Sequence, residues 1–209
     1  MKNVIAIDGP AGAGKSTTAK LAAQKIGYTY IDTGAMYRAV AWKTLQAKKE
    51  VTDELILATA KDMTVNLRYE NGVTKVFVDD EKEITNEIRT PAINAIVSQV
   101  AKLKGVRDKL VVLQREMGKR GKVLMDGRDI GTNVLPDADE RAKRRCEELK
   151  AKGHDVNFDE IKASIINRDK IDSERKESPL KKADDAVLLD TTHMTIDEVV
   201  AKIVALASE

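Results

Sequence analysis

Val4-Ile5-Ala6-Ile7-Asp8-Gly9-Pro10-Ala11-Gly12-Ala13-Gly14-Lys15-Ser16-Thr17-Thr18 is the stretch around which the rest of the chain must fold. Its first four residues are apolar and include β-branched types, the pattern of a buried strand. Gly9 to Ser16 then satisfies G-x-x-x-x-G-K-[ST] at every fixed position, the pattern of a phosphate-binding loop when a strand precedes it and a helix follows. Glycines at 9, 12 and 14 let successive main-chain N–H groups turn inward around phosphate oxygens. Ser16 to Ala23 reads as helix, so its unsatisfied N–H groups and positive dipole end face the same anion. Lys15 is expected to reach the β- and γ-phosphates of a nucleoside triphosphate and Ser16 to ligate Mg²⁺. Gly9, Pro10, Ala11, Gly12, Ala13, Gly14, Lys15, Ser16 and Thr17 are thus the candidate phosphate contacts.

Working outward, the chain of 209 residues suffices for one substantial core with a small appended lobe. Lys+Arg 36 against Asp+Glu 34 leaves a net charge of +2. That balance gives no nucleic-acid or membrane footprint, so any cationic site must be local, and a monomer is the expectation. Cys146 is the single cysteine and cannot form an internal disulfide, and the N-terminus runs directly into a core strand; both point to the cytoplasm. No apolar run reaches membrane-span length. His154 and His193 are isolated, which argues against a metal site or a nucleophile–base pair.

Tyr28 to Asp32 is a second short strand and Ala35 to Ala47 a helix, completing a βαβα pattern that implies parallel strands with right-handed crossovers. Ligands gather at the carboxyl ends of such strands, where Thr33, Tyr37 and Arg38 lie. Asp53 to Lys61 reads as a short helix. Thr64 to Tyr69 and Thr74 to Val78, joined by Glu70-Asn71-Gly72, read as an antiparallel hairpin inserted into the parallel pattern. Ile84 to Gly118 is helical with breaks near Thr90-Pro91 and Lys104-Gly105. Lys122 to Asp126 is another buried strand, delivering Asp126-Gly127-Arg128-Asp129 to its carboxyl end. Glu140 to Lys152 and Asn157 to Lys170 are helices, Ala186 to Asp190 a last strand, and Thr195 with Glu198 a capping box for a closing helix.

A phosphate loop accompanied by Arg38, Arg128, Arg168 and Arg175 points to phosphoryl transfer, whose transition state needs positioning and charge neutralisation more than covalent help. Arginine suits the task, because its planar fork binds phosphate oxygens in pairs and stays charged. Lys170 to Ser178 is a candidate lid that keeps water from the donor. A GTP-dependent switch is disfavoured: no Asn-Lys-x-Asp segment is present.

Gly9-Pro10-x-Gly-x-Gly-Lys-Ser-Thr, Asp32-Thr33-Gly34-Ala35-Met36-Tyr37-Arg38, Glu87-Ile88-Arg89, Val97-Ser98-Gln99-Val100-Ala101, Val106-Arg107, Asp126-Gly127-Arg128-Asp129-Ile130-Gly131-Thr132 and Arg168-Asp169-x-x-Asp172-Ser173-x-Arg175 together resemble bacterial-type cytidylate kinase, nearly end to end. The resemblance implies an α/β fold: a phosphate-loop kinase core with a parallel sheet flanked by helices (about 1–60, 104–150 and 184–209), a small hairpin-bearing NMP-binding insert (about 61–103) and a helical lid (about 155–181). It also implies transfer of the γ-phosphoryl group of ATP, with Mg²⁺, to CMP or dCMP. Carried over by motif, Ser98, Arg107 and Asp129 read the cytosine, Arg168 and Asp172 hold the sugar, and Arg38, Arg128 and Arg175 clamp phosphates. Thr33, Tyr37 and Asp126 line the acceptor site, and Lys15, Arg128, Arg168 and Arg175 are the expected catalytic groups. A carboxylate accepting from the cytosine amino group would face an oxygen in uracil, an unpaired arrangement costing about 1–3 kcal/mol. Kinases of UMP, AMP or a shikimate-like acceptor are the alternatives.

The chain departs from that family at one place. Only four strands are legible, near residues 4, 28, 122 and 186, where the family has five; Asp137-Ala138-Asp139 runs straight into Glu140-Arg141-Ala142, where the family pattern has an apolar strand. Omitting an interior strand would leave ladder hydrogen bonds unmade on both neighbours. The expectation is therefore that about ten residues of the natural chain are missing between Asp139 and Glu140.

Overall fold

A computed structural model describes residues 3–70, 73–128, 157–174, 176, 179–180, 184 and 186–208. Strand β1 (Val4–Asp8) leads into helix α1 (Lys15–Ile26), β2 (Thr29–Asp32), α2 (Thr33–Gln46) and α3 (Asp53–Asp62). A small antiparallel sheet follows, β3 (Val65–Glu70), β4 (Val73–Val78) and the two-residue β5 (Lys82–Glu83), then a 3₁₀ turn at Glu87–Arg89. Helices α4 (Pro91–Lys102) and α5 (Lys104–Lys119), strand β6 (Val123–Gly127), and helices α6 (Phe158–Glu174) and α7 (Ile196–Ser208) complete the described elements.

The main sheet has β6 in the middle, parallel to β1 on one side and β2 on the other. Alternation along the strands divides the core into two layers. Ile7, Tyr30 and Leu124 pack beneath α1 and α7, while Ile31, Val123 and Met125 pack toward α2, α4 and α5. On α1 the facing residues are Ala19, Ala22 and Ala23, all fully buried, so this helix lies close against the sheet and against Val199, Val200 and Ile203 of α7. The register sets Asp8 opposite Gly127 and Asp32 opposite Asp126, which brings Asp8, Asp32 and Asp126 to the same carboxyl-terminal edge of the sheet. All three are almost fully buried.

Several boundaries differ from the sequence expectation for physical reasons. Helix α2 begins at Thr33 rather than near Ala35, because Asp32 caps it, its Oδ1 accepting from the Ala35 amide at 3.0 Å. The break before α4 falls where expected, with Thr90 capping and Pro91 in the first turn. Helix α6 continues past Lys170 to Glu174, so the first part of the segment read as a polar lid is helical and places Asp169 and Asp172 one turn apart on one side. The expected strand at Ala186–Asp190 is reduced to a single bridge at Leu189. A strand of a parallel sheet needs cover on both faces, and Val187 and Leu188 are about half exposed. The capping box of Thr195 and Glu198 is present, each side chain accepting from the other's amide, at 3.3 and 2.7 Å. Helix Glu140–Lys152, Cys146, His154 and the expected gap between Asp139 and Glu140 lie outside the described residues.

The hairpin sheet is tied to the core by Thr74, whose hydroxyl donates to the Tyr30 carbonyl at 2.7 Å. Helix α3 is fixed to α5 by Lys109, whose ammonium donates to the carbonyls of Ala60, Lys61 and Met63 at 2.7, 2.9 and 2.6 Å. Those are the carbonyls that the end of α3 leaves unsatisfied. Lys109→Met is expected to lower unfolding stability by about 1–3 kcal/mol, since charged hydrogen bonds to a helix end are lost together. Urea unfolding would register this as a lower midpoint at unchanged slope; an unchanged midpoint would contradict it.

Candidate active site

The loop that leaves β1 turns through Gly12 and Gly14, at φ of 71° and 82°, in the left-handed region where a side chain would be strained. Gly14 is the N-cap of α1 and supplies no side chain to cap the first amides of the helix. Ala11, Ala13 and Lys15 are buried, and Gly12, Ser16 and Thr17 are exposed at the loop's rim. Lys15 folds back over the loop, donating from Nζ to the Pro10 carbonyl at 2.7 Å. Burial, and after it the neighbouring Arg128, bring its ammonium down to about 7.

Asp126, at the end of the central strand, organises the floor. Its Oδ2 accepts from the Ser16 hydroxyl at 2.6 Å and its Oδ1 from the Tyr30 hydroxyl at 3.0 Å, while its carbonyl accepts from Thr33 Oγ1 at 2.7 Å. Burial first, then the Asp32 charge, push the Asp126 carboxyl up to about 6. Asp32 is itself held by Arg89, Nη2 to Oδ2 at 2.6 Å, an ion pair that ties the turn before α4 to the edge of the main sheet.

Above this floor lies a group of guanidiniums. Arg128 donates from Nη1 to Asp172 Oδ2 at 2.8 Å and stands 3.6 Å from Asp169 Oδ1, both on α6. Burial, followed by the charges of Arg128 and Arg38, disfavours the charged form of Arg168, with Asp172 and Asp169 acting in the opposite direction. Its Nε is buried without a hydrogen-bond partner among the described residues. A cluster of cations in which a buried Arg168 donor has no partner among the described residues has the chemistry that suits an anion. Gly34 leaves the Arg38 side chain its place, since a Cβ there would come within 3.0 Å of Arg38 Nη1 and 3.1 Å of Asp32 Oδ1.

To the side, Arg107 of α5 is buried with its guanidinium 6.0 Å from the centre of the Tyr37 ring, and Nη1 donates to the Ala101 carbonyl at 3.5 Å. Ser98 is buried on α4, the helix that packs against both α2 and α6. The structure thus brings Lys15, Ser16, Asp126, Arg128, Arg168, Asp172, Thr33 and Arg38 to one edge of the sheet, with Tyr37 and Arg107 together beside it. Asp129 and Arg175 lie outside the described residues. Sequence reading missed the parts played by Tyr30, Asp32, Arg89 and Asp169. Asp32 could have been found as an acidic residue between a strand and a helix, the position of an N-cap. The partner of Arg89 lies 57 positions away, and only the tertiary fold joins them.

A parallel sheet with a glycine-rich loop opening its first helix, and cations gathered at that end, defines an α/β protein of the phosphate-loop class. Residues 5–209 match the family model described as cytidylate kinase. The cytidylate kinase of Bacillus pumilus (strain SAFR-032) is 52% identical over 210 residues, covering 95% of this chain and 93% of that protein. Those of Bacillus velezensis (strain DSM 23117) and Bacillus licheniformis (strain ATCC 14580) are 46% and 47% identical, covering 98% and 100% of this chain and 96% and 97% of their own lengths. The chain belongs to the cytidylate kinase family and is a phosphotransferase. No helix among the described residues is long and apolar enough to cross a membrane.

Proposed function

We propose that this chain transfers the γ-phosphoryl group of ATP to the phosphate of CMP and dCMP, as a monomer in the cytoplasm acting on small molecules. The observation that carries this reading is the meeting of Lys15, Arg128 and Arg168 by the loop, with Tyr37 and Arg107 packed together beside them. One phosphate chain lies on the loop amides and Lys15. The acceptor phosphate is held by Arg38 and Arg128 so that one of its oxygens faces the γ-phosphorus. That oxygen forms the new P–O bond as the bond to the β–γ bridging oxygen breaks, and ADP departs with the electron pair. The arginines and Lys15 neutralise the charge spread over the transferring group.

Ser16 and Asp126 offer hard oxygen donors side by side, a set that fits Mg²⁺, and they would hold it. When bound, the ion would neutralise phosphate charge. Ser98 and Arg107 would read the base, Arg168 and Asp172 the sugar, and residues 61–103 and 155–181 would serve as acceptor lobe and lid. Asp129 and Arg175 keep the roles the resemblance implies.

The test is ADP release from ATP with CMP, dCMP, UMP and AMP in turn. CMP and dCMP should support turnover about 10-fold or more above UMP and AMP, the span that one unpaired buried polar group provides. Equal rates with UMP or AMP, or ADP release indifferent to CMP, would overturn the assignment.

A further inference from the structure

One contact joins α6 directly to the phosphate loop. Asp169 Oδ1 accepts from the Ala11 main-chain amide at 2.9 Å, and the same oxygen stands 3.6 Å from Arg128 Nη1. Beneath it, Ala11 packs against Ile165 and Ile161 of the same helix, so the loop and α6 meet through an apolar patch as well as a charge. An anionic oxygen that takes one donor from a loop amide and faces a guanidinium has the surroundings that a nucleotide phosphate oxygen would require there.

We propose that Asp169 is an internal stand-in for a phosphate oxygen, seated on the loop until a polyphosphate displaces it. This rests on reading Gly9–Ser16 as the phosphate site. The consequence follows from competition. A ligand that binds only when the carboxylate has withdrawn has its affinity reduced by the fraction of time the loop is free, so a contact made nine-tenths of the time weakens binding about tenfold. Displacement also hands the loop's anion signal to α6. The helix carrying Arg168 and Asp172 is seated on Ala11 for most of the time without donor phosphate and is kept off it once the phosphate is bound.

Calorimetric titration of the full chain with magnesium-free tripolyphosphate, which has neither base nor sugar, measures this directly. Asp169→Ala and Asp169→Asn should each bind about 5–10-fold tighter than the parent, and Asp172→Asn, which removes the same charge from the same helix without touching the loop, should gain less. Parent-like affinity in both Asp169 variants, or an equal gain in Asp172→Asn, would overturn the proposal, the latter by reducing it to net charge. A second measurement survives poor folding of either variant: in the parent, the Ala11 amide proton should shift when tripolyphosphate replaces the carboxylate. An unmoved resonance at saturating ligand contradicts displacement. Should neither the parent nor any variant bind tripolyphosphate or ATP, the phosphate-site reading itself fails, and the stand-in with it. Binding by the parent that is abolished by Lys15→Met, with no gain from Asp169 substitution, keeps the site and removes only the stand-in.

Discussion

Lys15→Met lowers kcat by about 10³-fold or more while leaving the protein at least as stable as the parent. Both halves follow from one buried group. Lys15 is 8% exposed and its ammonium makes one hydrogen bond among the described residues, to the Pro10 carbonyl, in a setting where burial, Arg128 and Arg168 outweigh the opposing charges of Asp126 and Asp8. In the free protein this cation is held at a cost, and its affinity for a proton falls accordingly. Methionine fills the same space without the charge, and replacing a poorly compensated buried ion by an apolar residue is commonly neutral or stabilising by about 1–3 kcal/mol. During transfer the same ammonium would face developing charge on the phosphoryl oxygens, where its contribution is largest. A variant that melts higher than the parent yet turns over CMP at an undiminished rate would show that Lys15 has no part in the chemistry.

The depressed Lys15 value also predicts a proton linkage of definite sign. With the amine at about 7 in the free protein, it is mostly neutral at pH 8. A polyphosphate laid against it favours the charged form and raises its pKa, so binding takes up about one proton at pH 8 and progressively less as the pH falls below 7. Calorimetry of ATP binding in two buffers of different ionisation enthalpy reads that number. Uptake should vanish in Lys15→Met. No proton uptake at pH 8 in the parent would mean that the amine is already charged. Folding carries the same linkage: the unfolded chain holds this proton up to the ordinary lysine range, so Lys15 makes stability rise with pH between about 7 and 10.5.

The phosphate loop was legible because every determinant of it is contiguous: the strand, the glycines at the turns, Lys15 and the helix that follows occupy one short stretch. Asp126 and Arg128 were legible for a related reason, since the end of a core strand in a parallel sheet is where side chains meet a ligand. What escaped are the contacts made only by folding. Tyr30 reads as a core aromatic of β2, yet its hydroxyl reaches Asp126 on the neighbouring strand. Asp169 reads as one charge among many on a polar helix, and its partner is an amide 158 positions earlier. The apolar run at 186–190 misled in the opposite direction. Local pattern reports that Val187 and Leu188 prefer burial, but whether another element covers them depends on the rest of the fold, and here they stay half exposed.

Arg128→Met should lower kcat/KM by about 10³-fold or more, the scale on which an arginine that neutralises a transferring phosphoryl group acts. Stability should fall as well. The substitution leaves the Asp172 carboxylate, 3% exposed, without its 2.8 Å partner, and an uncompensated buried charge costs about 3–5 kcal/mol, with Arg168 close enough to recover part of it. The two losses are separable. Adding Asp172→Asn to Arg128→Met removes the orphaned charge and should restore about 1–3 kcal/mol of stability, while phosphoryl transfer stays low because the guanidinium is still absent. Arg128→Lys tests geometry against charge: it keeps the cation but not the planar fork, and should recover stability better than it recovers turnover. Because Arg128 is one of the cations that depress Lys15, its removal should also raise the Lys15 pKa and shrink the proton uptake on ATP binding at pH 8. A double variant that regains activity along with stability would make Arg128 a purely structural partner of α6, and the acceptor phosphate would then have to be held by Arg38 and the other phosphate clamp the resemblance implies, Arg175.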